Sequence, residues 1–172
     1  MSNTKKIKDI MIDVFEYTHI PYWFTIKQAI GIVKKSLIGN DKCIRPMVVL
    51  VFDEKYNLVG SLTLKEILRG LEPKFLKPTT KAQVHEQDES GLSVLWDTIF
   101  NKETKESAER PVSEVIVPAK FFADPEDPIT KAAYLMLHHD LVILPVLENK
   151  KKFVGVIRMI EIFDEISDAI LK

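Results

Sequence analysis

Apolar residues recur at i, i+3, i+4 and i+7 in two separate stretches: Ile26, Ala29, Ile30 and Val33 in IKQAIGIV, and Ile129, Ala132, Ala133 and Met136 in ITKAAYLM. That spacing lines four side chains along one helix face and predicts an amphipathic helix at each. Each helix is followed by a β-rich run, MVVLVFD at 47–53 and LVILPVLE at 141–148, then a polar turn, EKYN or NKKK, then a second β-rich run, LVGSLT or FVGVIR. Two such runs about a short polar turn predict an antiparallel hairpin. Gly60 and Gly155 then fall inside strands, where a missing side chain marks a bulge or a close approach by another backbone.

A second helix follows each hairpin. Its apolar stripe is Leu64, Ile67, Leu68 and Leu71 in the first case and Met159, Ile162, Phe163, Ile166 and Ile170 in the second. Upstream of the first helices, KIKDIMID at 6–13 lies against PVSEVIVP at 111–118, pairing Ile7 with Val112, Asp9 with Glu114, Ile10 with Val115 and Met11 with Ile116. A period carried through a whole unit is an internal repeat. The unit reads strand, helix, strand, strand, helix, and the chain divides into repeat 1 at 1–71, a polar linker at 72–110 and repeat 2 at 111–172. Repeat 1 carries an insertion, SLIGNDKCIRP at 36–46, of a kind that loop closure tolerates. In the linker, Leu92, Leu95, Trp96 and Ile99 predict one amphipathic helix between two loops.

Composition narrows the function. The 172 residues are 46% hydrophobic, enough for a core, and 24 basic against 25 acidic residues leave a net charge of −1. There is no electrostatic footprint for nucleic acid and no polybasic patch for a membrane. The single cysteine, Cys43, forms no internal disulfide, and no stretch approaches the apolar length of a membrane span. A soluble, unprocessed, cytoplasmic protein is expected. No phosphate-binding, nucleophile-elbow, zinc-protease or dinucleotide motif occurs, so a binding module is expected rather than an enzyme.

The duplicated phrases LVGSLTLKEIL and FVGVIRMIEIF, with KDIM at 8–11 and ILPVLE at 143–148, resemble a pair of cystathionine-β-synthase (CBS) domains, the tandem arrangement called a Bateman module. The resemblance implies an α+β fold: two βαββα repeats packed sheet to sheet about a pseudo-two-fold axis, each covering a sheet face that one repeat alone would leave bare. It also implies clefts that take an adenine nucleotide (AMP, ADP or ATP) or S-adenosylmethionine as a regulatory ligand, with no cofactor required, and a homodimer. A partner in trans would then receive the signal.

In that family a [Thr/Ser]-x-x-Asp ending holds the ribose. This chain has Thr63 and Glu66 in repeat 1, and Arg158 and Glu161 in repeat 2. A glutamate also accepts two hydroxyl donors, with one more bond to fix. Thr63 with Glu66 is equally the capping-box signature, whereas Arg158 offers no hydroxyl for such a box. Arg158 beside a helix start suits a phosphate, or else an ion pair with Glu161. Arg45 matches a position where relatives place a basic phosphate contact, and is otherwise a solvated loop residue. Ile12 and Pro145, with Val117 and Leu50, are candidates for an apolar adenine slot, although Val117 and Leu50 fit a plain core role better. His138 and His139 sit about 100° apart around a helix and do not form a metal site. The alternative to a sensor is a ligand-free interaction module with degenerate clefts and a docking surface around Trp96 and Phe100.

Overall fold

The structure is a computed structural model that describes residues 5–38, 48–72 and 102–172. Arg45, Cys43, Trp96, Phe100 and the helix expected around Leu92–Ile99 lie outside these residues. In chain order the elements are β1 (Ile12–Asp13), β2 (His19–Pro21), α1 (Ile26–Ile38), β3 (Val48–Phe52), β4 (Leu58–Thr63), α2 (Leu64–Leu71), α3 (Lys102–Ala108), β5 (Val117–Pro118), α4 (Ile129–His138), β6 (Ile143–Glu148), β7 (Lys152–Arg158) and α5 (Met159–Leu171). Short 3-10 turns precede β1 and β5, at Ile7–Asp9 and Val112–Glu114. The α+β class and both βαββα repeats predicted above are present. The polar run before the second repeat, expected as a loop, instead forms α3. Its KETKESA carries no apolar stripe, and it forms on helix-favouring residues with a Lys102–Glu106 pair one turn apart.

The strands form two sheets, one with the order β1-β7-β6 and one with the order β2-β3-β4-β5. The chain divides into two compact units that interleave along the sequence: one holds the residues up to His19, Phe52–Gly60 and Pro118–Lys172, and the other Ile20–Val51 and Ser61–Val117. Each unit takes the lead-in segment of the other repeat.

In the first unit, Ile7 is fully buried in a cluster with Ala132, Met136, Leu144, Val146, Ile157 and Ile162. Its N–H donates to the Asp127 carbonyl at 2.9 Å, Lys8 donates to Pro125 at 3.0 Å, and Ile12 pairs with Val156 of β7. In the second unit, Val112 is fully buried with Ile26, Ala29, Val49, Val51, Leu62 and Ile67, and donates to the Phe24 carbonyl at 2.7 Å. The apolar faces of α1 and α4 are thus the helix halves of these two cores. The stripe of the second helices is only partly used. Ile67 and Ile162 are buried, but Leu68, Phe163, Ile166 and Ile170 are 67%, 65%, 46% and 75% exposed.

The first lead-in is also held electrostatically. The Lys6 and Lys8 ammonium groups both donate to the Glu126 carboxylate, Lys8 at 2.6 Å, and these bonds push the Glu126 carboxyl down from 4.5 to about 2. A depressed folded-state value stabilises the fold above the unfolded value and loses that contribution as pH falls through the folded one. Lowering the pH from 4.5 toward 2 should therefore loosen the lead-in. Amide NMR signals of Ile7 and Lys8 would report this, and Glu126→Gln should remove the transition from that window. A transition unchanged in the variant would assign it to another carboxylate.

Candidate functional site

Both second helices start where a hairpin strand ends, and both starts carry the residues singled out above. In the second unit, Thr63 precedes α2 in an extended conformation. Its N–H donates to the Glu66 carboxylate at 3.2 Å and its hydroxyl donates to the same group. Glu66 is buried, and Arg69 lies 3.9 Å from it. The capping box is realised here: Glu66 neutralises an amide at the helix start and meets the positive end of the helix dipole.

In the first unit, Arg158 holds the same place before α5. Its backbone N–H donates to Glu161 at 2.8 Å, and its guanidinium donates from Nε at 2.9 Å to one carboxylate oxygen and also from Nη2. Repeat 2 was expected to lack a capping box for want of a hydroxyl. Glu161 nevertheless caps the start, because the carboxylate half of the box needs only a backbone N–H, whatever side chain that residue bears. Both side chains are only 18% exposed, so this pair lies between a surface pair and a buried one. Beside it sits Tyr17, 6% exposed, which sequence spacing did not reveal. Burial pushes its phenol well above the usual range, with Glu161 adding to the rise and Arg158 opposing it.

Strand register brings further candidates to this place. Ile12 of β1 and Pro145 of β6 both face Val156 of β7, from opposite sides. Side chains alternate along a strand, so Val156 and Arg158 share a face, and Ile12 and Pro145 share it with them. Pro145 is buried and Ile12 half-buried. The Pro145 carbonyl accepts the Ala123 N–H at 3.0 Å, so the proline lies between β7 and this segment at a position where it has no N–H to offer. Ile12, Pro145, Arg158 and Glu161 therefore come together in one unit, with Tyr17 joining them. Thr63 and Glu66 belong to the other unit.

The two apolar candidates expected in the core part company. Leu50 is buried in β3, but Val117 is 46% exposed because β5 is the outer strand of its sheet. The paired histidines have separate aromatic neighbours: His139 stacks on Phe121 at 3.8 Å, and His138 lies tilted against Tyr134 at 4.2 Å. Among the described residues no group of three or more His, Cys, Asp or Glu side chains could hold a metal, and no helix is long and apolar enough to cross a membrane.

No curated protein matches the chain. The family model for the CBS domain matches residues 112–168. Among solved structures, a CBS domain-containing protein from Bacillus anthracis is similar at a TM-score of 0.67 and 18% identity, covering 95% of this chain and 94% of that one. CBSX2, crystallised in complex with AMP, is similar at 0.63 and 13% identity, covering 95% and 97%. The cytosolic domain of the Mg2+ channel MgtE, in complex with ATP, is similar at 0.56 and 16% identity, covering 89% of this chain and 46% of that one. At such identities these likenesses are likenesses of fold. Residues 112–168 match the CBS domain model, and the chain as a whole has the fold of a tandem CBS pair, the Bateman arrangement.

Proposed function

We propose that this chain is a non-catalytic regulatory module that binds an adenine nucleotide or S-adenosyl-type ligand at a helix start following a hairpin, and signals occupancy by a change of conformation or dimer. The observation that carries this reading is the largely buried Arg158–Glu161 pair at the start of α5, on the same sheet face as Ile12 and Pro145. AMP and ATP in complexes of the same fold support it. A phosphate replacing Glu161 on the Arg158 fork would keep the guanidinium paired and free the carboxylate to accept two ribose hydroxyls. Ile12 and Pro145 supply an apolar edge for the base. Thr63 and Glu66 offer the same elements in repeat 1 with a hydroxyl in place of the Arg158 guanidinium and Arg69 3.9 Å from the carboxylate, and Arg45 is a second candidate phosphate contact. Occupancy changes the state of the module only to the extent that two shapes differ in affinity.

The homodimer belongs to this reading. Phe163, Ile166 and Ile170 of α5 and Leu137 of α4 are 65%, 46%, 75% and 68% exposed, an apolar surface that a second copy would cover. A cytoplasmic location also goes with it. A partner in trans is the receiver of the signal.

Thermal unfolding with AMP, ADP, ATP and S-adenosylmethionine tests the proposal. A ligand at 100 times its dissociation constant adds about 2.7 kcal/mol, a rise of roughly 5 to 10 °C for a chain of this size. Arg158→Ala should weaken a nucleotide more than its nucleoside, and equal loss for both would remove the phosphate role. The mutual satisfaction of Thr63 with Glu66 and of Arg158 with Glu161 favours the second reading, an interaction module with empty clefts. No shift with any of these ligands at millimolar concentration would select it.

A further inference from the structure

A concavity lies in the first unit, at the end of β7 opposite Arg158. Lys152 begins that strand and Arg158 ends it, so the two places are about 20 Å apart at the rise of an extended chain. The pocket has a volume of about 510 Å³, within the range of small-molecule sites, and Phe15, Lys55, Tyr56, Lys151, Lys152 and Phe153 are among its walls.

Its walls carry three basic side chains, Lys55, Lys151 and Lys152, against one acidic side chain, Asp13. Among the described residues, the Lys55, Lys151 and Lys152 side chains have no carboxylate within 4.0 Å. Asp13, the acid at the pocket, already accepts the Phe15 N–H at 2.9 Å, and Asp53 behind the first turn is engaged by Asn57. The aromatic side is built. Tyr56 has φ of 65°, the left-handed position that a hairpin turn ordinarily gives to glycine or asparagine. Its hydroxyl meets His19 Nε2 at 2.7 Å. His19 Nδ1 lies 2.8 Å from the Tyr17 carbonyl, an acceptor to which it donates, and Nε2 faces the Tyr56 hydroxyl. The Tyr56 ring stacks on Phe52 at 5.1 Å, and Phe52 meets Phe153 edge-on at 5.1 Å. A strained backbone thus holds a pinned ring that is still 54% exposed, next to Phe15 at 83%.

We infer that this pocket binds a small aromatic anion, its ring against Tyr56 and Phe15 and its phosphate or carboxylate among Lys55, Lys151 and Lys152. The site is independent of the one at Arg158.

The test is amide NMR on the full chain with AMP and with salicylate as probes, and with adenosine and inorganic phosphate as their parts. At least one aromatic anion should shift Phe15, Tyr56 and residues 151–154 at millimolar concentration, while adenosine and phosphate alone do so weakly. The better of the two anions identifies the preferred head group. Reversing two charges in Lys151→Glu with Lys152→Glu should weaken binding about tenfold or more. Tyr56→Gly should also weaken it, since it removes the ring while the left-handed turn suits glycine. Arg158→Ala should leave these shifts unchanged. No shift with either anion, or equal binding in the lysine variant, overturns the inference. Shifts confined to residues near 158–161 would overturn it and support the nucleotide site. Shifts confined to the pocket would do the reverse.

Discussion

Ile7→Ala is expected to cost about 3 kcal/mol, lowering the melting temperature by roughly 10 °C, and the damage should appear in the second repeat. Ile7 is fully buried among Met136, Leu144 and Ile157, residues far along the chain, and its truncation leaves a cavity there. Hydrogen exchange should therefore speed up in α4, β6 and β7 rather than in α1 and β3, its nearer neighbours in sequence. Val112→Ala should show the mirror image, loosening α1, β3 and α2, because Val112 packs on Ile26, Val49 and Ile67. Protection lost in the repeat that contains each residue by sequence would contradict the exchange of lead-ins.

Gly155→Ala should be nearly as damaging, about 3 kcal/mol by overpacking. A Cβ built at Gly155 would stand 2.3 Å from the Ile12 carbonyl oxygen and 3.2 Å from its carbon. These are backbone atoms, paired on β7 through Ile12 with Val156 and Asp13 with Gly155, so they cannot turn aside as a side chain would. The added methyl pushes β1 off the sheet. Gly31→Ala is the control: nothing lies within 4 Å of a Cβ there, and α1 should gain about 0.5 to 1 kcal/mol in helix propensity. Thermal melts of the two variants should move in opposite directions, and a fall in both would remove close approach as the cause.

How far the candidate site was legible depends on the range of each interaction. Thr63 with Glu66 is a contact between residues three apart, and spacing alone placed it at a helix start. Arg158 with Glu161 has the same spacing, but reasoning from the missing hydroxyl undervalued Glu161, whose partner is the backbone N–H present at every residue except proline. Val117 looked like core because it is apolar; its exposure follows from lying on an outer strand, and no single residue records strand order. Tyr17 carried no signal at all, since only strand pairing brings residues 12–17 beside the start of α5. The same holds for the pocket of lysines and rings, which joins two hairpin turns and a lead-in.

By itself the sequence determined the repeat, the helix faces, the hairpins and the strand glycine that meets another backbone. These follow from periodicities of two and 3.6 residues and from turn chemistry, which act over a few positions. Only the tertiary structure decided which core each lead-in completes. Ile7 and Val112 are both apolar, both follow the same phrase logic, and would fill either site by hydrophobicity alone. The choice is made by main-chain hydrogen bonds, Ile7 to Asp127 and Val112 to Phe24, and by the Lys6 and Lys8 contacts with Glu126, which join segments more than a hundred residues apart in one case and more than eighty in the other. Burial is non-directional and cannot tell one apolar slot from the other, whereas hydrogen bonds and charge pairs have geometry, and that geometry exists only once the chain is folded.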